Sequence, residues 1–212
     1  MKTAIIGLGN IGVRLARNFA RGGSTVILAD RTVTKAEALA ADIGVKATAA
    51  TVADAIGEAD TLILSISFDA IRAFIPQHNE RLTGKILVDP SNPIVPDGKG
   101  AFRKVISAEQ SAGETIAGRL PGGVRLVKAF GTLGAESLAA GAFRSPHRAV
   151  LFYATDDRAA GETVAALISA SGFDPVSIGG IDRSLRIEVG GDLHEFGKLG
   201  RLVSEAEARA LI

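Results

Sequence analysis

The chain has 212 residues, 47% of them hydrophobic, and its 24 basic and 23 acidic side chains leave a net charge of +1; that length buries the core of one globular domain, or of a domain with a small lobe. Near-neutral charge excludes a broad basic field for nucleic acid and an acidic tail, and the lack of cysteine excludes disulfides, thiolate metal sites, iron–sulfur clusters and a cysteine nucleophile. Abundant glycine with one Tyr and no Trp suits tight strand-to-helix turns rather than an aromatic binding surface.

The first apolar run, TAIIG, breaks into glycine too early for a signal peptide, and no later run is long enough to span a bilayer, so a cytoplasmic protein is expected. That run reads as a strand. The helix after it repeats Ile11, Leu15 and Phe19 on one face and stops at Gly22 and Gly23. A second strand, TVILAD, leads into a helix in which Thr34 and Glu37 have the spacing of a capping box. Then come a short strand near Val45, a helix in TVADAIGEA, the strand DTLILSIS, a helix from Asp69 and the strand KILVDP. Strands apolar along their whole length and separated by helices predict a parallel sheet covered on both faces. The segment PSNPIVPDGKG, with Pro90, Pro93 and Pro96, reads as a loop beyond a strand end.

A helix in SAGETIAGRL, a strand in VRLVKAF and the small-residue stretch GTLGAESLAAGAF follow. The strand RAVLFYATD, the helix RAAGETVAALISASG and the strand DPVSIGG form a smaller unit. The predicted fold is α/β: a Rossmann-type doubly wound, mostly parallel sheet over residues 1–145, with a small C-terminal α+β lobe over 146–212. The stretch SLRIEVGGDLHEFGKLGRL is expected to be helical in parts, with its paired Gly190 and Gly191 against it. Phe196, Leu199, Leu202 and Val203 recur at helix-like intervals and would face either a partner subunit or their own lobe.

GLGNIG supplies Gly7, Gly9 and Gly12, flanked by Leu8, Asn10 and Ile11, in the pattern G-x-G-x-x-G between a strand and a helix. The first glycine makes the turn, the second admits a pyrophosphate and the third lets helix pack on strand, while the helix N-terminus offers N–H groups to the phosphates. Asp30, at the end of the second strand, would accept hydrogen bonds from ribose hydroxyls, the arrangement that suits NAD. Arg31 and Lys35 stand beside it. A 2′-phosphate about 4 Å from one such charge interacts by roughly 4 kcal/mol at an effective dielectric near 20, so two cations against one carboxylate favour NADP modestly and leave NAD possible. Arg31 stacked on adenine and Lys35 in solvent are the alternatives.

Ser65, Ile66 and Ser67 end the fourth strand where a doubly wound sheet places its ligand, although Ser65 as a turn cap would explain itself. Ser91 and Asn92 follow the fifth strand, with side chains that suit a carboxamide or carbonyl and equally suit turn chemistry. His78 and His147 read as surface residues, whereas His194, beside the paired glycines, is a candidate for substrate contact. No histidine spacing supports a metal site.

GLGNIG, ILADR, LILSISFDAI, KILVDPSNP, SAGETIAGRLPGGVRLVKAFGTLGAESLAAG and the closing strand–helix–strand, in this order, resemble the coenzyme F420-dependent NADP oxidoreductases over almost the whole chain. The nucleotide-binding domains of the STEAP metalloreductases look similar too. The resemblance implies NADPH lying across the strand ends with a deazaflavin (F420) or flavin stacked on its nicotinamide. It implies that Gly9, Asn10 and Ile11 hold the pyrophosphate, that Arg31 and Lys35 contact the 2′-phosphate, and that Ser65, Ile66 and Ser67 line the path to the nicotinamide. Ala129, Phe130, Gly131 and Thr132 would bracket the reacting rings. It also implies a homodimer, no membrane or nucleic-acid partner, and a small-molecule hydride acceptor. Members commonly carry Ser or Thr where this chain has Asp30.

The expected reaction is hydride transfer between NAD(P)H and a deazaflavin, flavin or similar acceptor, driven by positioning and water exclusion. Ser91, Asn92, Thr132 and His194 are the candidates for hydrogen bonds to the acceptor. Two alternatives stand beside it: reduction of imines or small carbonyls with His194 or a serine as proton donor, and a non-catalytic dinucleotide-binding or sensing protein.

Overall fold

Alternation along the strands sets the layers. The computed structural model describes residues 1–98 and 102–212. Its first five strands are β1 (Thr3–Ile6), β2 (Val26–Ala29), β3 (Ala47–Ala50), β4 (Thr61–Leu64) and β5 (Ile86–Asp89). In β1, Ile5 points into one core while Ala4 and Ile6 point into the other, the period-two pattern of a strand buried on both sides. The intervening helices are α1 (Asn10–Arg21), α2 (Val33–Ile43), α3 (Val52–Glu58) and α4 (Phe68–Leu82). Further on come α5 (Ala112–Ala117), β8 (Arg125–Ala129), α6 (Ala135–Ala140), β9 (Val150–Ala154), α7 (Arg158–Ala170) and β10 (Asp174–Ser177).

The eight strands of the main sheet run in the order β10-β9-β8-β5-β4-β1-β2-β3. All neighbours pair parallel except β8 and β9, so the last two strands run against the rest. The unit expected after residue 145 thus adds two strands to the same sheet. Its helix α7 contributes Val164 and Ile168 to the core that holds Leu15 and Phe19 of α1. Each such side chain stabilises by about 1.5–3 kcal/mol through burial alone. The opposite face is covered by α3, α4 and α5 through Ile56, Ile71, Ile75 and Ile116.

Three local expectations are corrected. Helix α2 begins at Val33 after Thr32, so Thr34 lies exposed inside the first turn and caps nothing; the chain turns into the helix earlier because the Asp30 carboxylate accepts the Thr32 N–H at 3.2 Å. The proline-rich segment is not all loop: β6 (Ile94–Pro96) pairs antiparallel with β7 (Phe102–Lys104), with Pro96 at a ribbon end where a missing donor costs little. Its Lys99 and Gly100 lie outside the described residues.

The third concerns the helix-like spacing of Phe196 to Val203: the closing stretch is helical in part, as expected, with a 3-10 helix (Ile181–Ile187), but it then turns, with Gly190 and Gly200 at φ +89° and +64°, before the short α8 (Glu205–Arg209). Those left-handed glycines break the helix that the apolar spacing suggests. Val203 is buried and Leu199 packs on the same lobe, Leu202 packs on the main core, and Phe196 stays exposed.

Candidate active site

The glycine loop is shaped by contacts that leave no room for side chains at two of its three glycines. Gly7 has φ +95°, and a Cβ there would stand 2.5 Å from the Ser65 carbonyl oxygen; a Cβ on Gly12 would collide with the Gly7 carbonyl. A Cβ on Gly9 would meet nothing within 4 Å, because this residue faces the open groove. Helix α1 starts just beyond, with Gly9 as its N-cap and no side-chain cap, so its first N–H groups are available to an anion. Asn10 is exposed at that first turn, while Ile11 packs its side chain toward the core and Leu8 is buried.

Asp30 turns inward. Its carboxylate accepts the Leu8 N–H at 2.9 Å and the Thr32 N–H, and Lys35 Nζ stands 3.7 Å away. Burial alone would raise this carboxyl, but the two backbone N–H groups and the charges of Lys35 and Arg31 outweigh it and hold Asp30 below the usual carboxylate range. The acid braces the glycine loop against β2 and stays ionised, with Lys35 as its charge partner. Arg31 and Lys35 remain exposed at the rim.

Between this rim and α4 lies a groove of about 630 Å³, walled by Gly7, Leu8, Gly9, Asp30, Arg31, Lys35, Ser65, Ile66 and Ser67. The serines divide their work: Ser67 caps α4 by accepting the Ala70 N–H at 3.3 Å, whereas Ser65 lines the groove and caps nothing. The far wall comes from one face of α4, with Ala70, Ala73, Phe74, Gln77 and His78 at helical spacing. His78, expected at the surface, is half-buried there and stacks against Phe74 at a centroid distance of 4.4 Å. The i, i+4, i+8 recurrence of 70, 74 and 78 was the signal available in the sequence. His147 is exposed.

The other candidates gather away from the groove, at the ends of β5 and β8. The Gly131 carbonyl accepts from Asn92 Nδ2 at 3.0 Å and from His194 Nε2 at 2.9 Å. His194 Nδ1 in turn accepts the Phe196 N–H at 2.9 Å, and Asn92 Oδ1 accepts the Val189 N–H at 2.7 Å. The expectation that His194 contacts substrate is therefore corrected: it is 1% exposed and both ring nitrogens are engaged by backbone. Burial pulls its pKa down, with the Gly131 carbonyl and Glu195 opposing, so the neutral ring prevails near neutral pH.

Ser91 Oγ and Thr132 Oγ1 are buried without a hydrogen-bond partner among the described residues. Thr132 lines a small void under the closing segment together with Leu193 and Leu199, rather than the groove. Ala129 and Phe130 are buried in the core, Phe130 edge-on to Phe19 at 6.0 Å, and neither lines the groove.

Sequence reasoning missed the charges beneath this cluster. Lys128 and Asp89 pair in register across β8 and β5, both essentially inaccessible, with Nζ 2.8 Å from Oδ2. Lys128 also donates to the Ser91 carbonyl, and Asp89 accepts the Ser91 N–H at 2.7 Å. Glu188 is buried as well and accepts the N–H groups of Ala112 and Gly113 at the start of α5. Burial pushes its carboxyl up, against the pull of Lys128 and those N–H groups. The available signal was a lone charge near the end of each of two apolar strands.

The family model of coenzyme F420-dependent NADP oxidoreductases matches residues 2–93, the part that builds the groove. An F420-dependent NADP reductase of Methanothermobacter thermautotrophicus is 30% identical over 199 residues, covering 89% of this chain and 85% of the relative. The chain belongs to the coenzyme F420-dependent NADP oxidoreductase family. Within solved structures, a hypothetical protein of Sinorhizobium meliloti superposes with a TM-score of 0.84 at 30% identity, covering 97% of this chain and 96% of that one. An imine reductase of Bacillus cereus has a TM-score of 0.62 at 22% identity, covering 85% of this chain and 55% of that one, and shares the fold with the family.

Proposed function

We propose that this protein transfers hydride between NADPH and a deazaflavin of the F420 type. The observation that carries the reading is the groove: an open Gly9 before an uncapped helix N-terminus, with two rim cations beside a carboxylate already turned inward. The donor set fits the dinucleotide. The N–H groups at the start of α1 suit a pyrophosphate, and Arg31 and Lys35 suit a 2′-phosphate.

The reduced nicotinamide supplies the hydride and the deazaflavin ring takes it. What this chain contributes is placement. Ser65 and Ser67 sit along the way from the glycine loop, and the orphaned Ser91 Oγ is a buried hydroxyl suited to a ligand's carboxamide or carbonyl. No activated nucleophile is required, and the engaged His194 removes one of the two kinds of proton donor that the imine- or carbonyl-reducing alternative could use, leaving it only a serine hydroxyl.

Mixing the pure protein with F420 and NADPH, and following loss of NADPH absorbance, tests the reading. Turnover with F420 and none with simple imines or ketones is expected. Tight NADPH binding without turnover on F420, FMN or FAD would assign the chain to the non-catalytic class instead. The reading includes a cytoplasmic protein that acts on small molecules and pairs as a homodimer; the exposed Phe196 supports a partner surface, and sedimentation checks it. Among the described residues no helix is long and apolar enough to cross a membrane.

A further inference from the structure

One carbonyl beyond the carboxyl ends of β5 and β8 is held from two directions. Gly131 O accepts from Asn92, which lies 39 positions earlier, and from His194, which lies 63 positions later. Each side chain is anchored at its other polar atom as well, since Val189 N–H donates to Asn92 Oδ1 and Phe196 N–H donates to His194 Nδ1. An imidazole that accepts at Nδ1 carries its proton on Nε2 and is neutral; a second proton would set N–H against N–H. Beside this pair the Thr132 carbonyl accepts the Glu195 N–H at 3.0 Å.

The backbone so held is itself unusual. Phe130 is buried at φ +65°, a left-handed conformation that a side-chain-bearing residue adopts only when its surroundings impose it. At Gly131 a Cβ would stand 2.6 Å from the Pro90 carbonyl oxygen, so the loops after β5 and β8 press together there.

We propose that His194 and Asn92 are positioning residues: by gripping the Gly131 carbonyl they fix the Phe130–Thr132 backbone as one wall of the hydride-transfer end, and neither exchanges a proton with substrate. The proposal rests on the hydride-transfer reading above. Its physical content is distance. Hydride passes only at ring contact, and a misplacement of about 1 Å costs on the order of a hundredfold in rate.

Two substitutions separate the two bonds of the histidine. His194→Gln puts an amide nitrogen near the Nε2 position and keeps the donor to Gly131. His194→Asn puts an amide oxygen near the Nδ1 position, keeping the acceptor for Phe196 and losing the donor to Gly131. Positioning predicts that the Gln variant recovers kcat to within about threefold of wild type while the Asn variant loses roughly tenfold or more, each with KM for NADPH changed by less than about twofold because the groove is untouched. Asn92→Asp keeps the acceptor for Val189 and removes the donor to Gly131; it should behave as His194→Asn does, and it carries the test if a histidine variant does not fold.

Equal loss in the Gln and Asn variants, whatever the pH profile, overturns the proposal because the Gly131 bond is then not the cause. Wild-type kcat in both His194→Asn and Asn92→Asp overturns it too, leaving the bonds merely structural. If the wild-type protein does not turn over F420, the functional reading has failed, and the grip is judged on the fluorescence of bound NADPH. A change in the Asn variant and not in the Gln variant supports it, and no change in either sinks it.

Discussion

Asp30, Arg31 and Lys35 show how a side chain's role depends on where its partners are. Asp30 spends its carboxylate on the Leu8 and Thr32 N–H groups, so it braces the turn that faces the phosphates more than it greets a ribose. Lys35 shares its charge with that ionised carboxylate at 3.7 Å, so Arg31 carries the larger part of any preference for a 2′-phosphate. Replacing Arg31 by Ala should remove one charge-assisted bond, worth about 1.5–3 kcal/mol, and weaken NADPH by roughly 10- to 150-fold while NADH shifts by less than about threefold. Fluorescence titration with both cofactors checks this, and equal loss would mean that Arg31 stacks on adenine. His194 makes a second prediction at this scale. Burial holds its native pKa below the ordinary imidazole value of 6.5, so below pH 6.5 the unfolded chain binds the extra proton first. Its contribution is therefore complete above pH 6.5 and is lost as pH falls from there through the lowered native value. His78 is shifted the same way, so the measurement is a difference: urea unfolding across this window should show a shallower pH slope for His194→Asn than for wild type.

The loop and helix of GLGNIG pose a cleaner test than its consensus suggests. Gly12→Ala drives a methyl into the Gly7 carbonyl and should destabilise by about 1–3 kcal/mol, whereas Gly9→Ala, pointing into open space, should leave Tm unchanged and weaken NADPH. Thermal melts and titrations on the two variants separate packing from ligand clearance. The strand pair β5–β8 is tested by Lys128→Met, which strands Asp89 in the core and should cost about 3–5 kcal/mol by denaturant unfolding, with a large part recovered when Asp89 is changed to Leu as well. The strands were legible because each is apolar from end to end, and the glycine loop because its turn demands that residue type. What stayed hidden depends on partners remote in the chain. Lys128 and Asp89 look like strand-end polar residues until their register is known, and the hairpin at Ile94 needs a partner across three undescribed residues. Helix α2 starts earlier than Thr34 and Glu37 imply because Asp30 turns the chain, a contact that local spacing does not encode. Asn92 and His194 were legible as polar residues beside turn glycines and a strand end, but that they meet on one carbonyl was not.

Across the whole molecule, one core joins α1 to α7, so the helix whose uncapped N-terminus faces the groove rests on residues beyond position 145. A chain cut to residues 1–145 would expose Leu15, Phe19 and Leu138 where Val164 and Ile168 now pack, and should lose cooperative unfolding by calorimetry rather than behave as a free-standing module. The reversal of β9 and β10 has a practical side. Their C-terminal ends, where Ser177 closes β10 and Arg158 opens α7, both exposed, lie at the end of the sheet opposite the glycine loop. Because the chain contains no cysteine, a thiol introduced at Ser177 would be unique, and a dye or surface tether attached there would sit clear of the groove mouth, so that a single immobilised molecule keeps its nucleotide entrance facing solution.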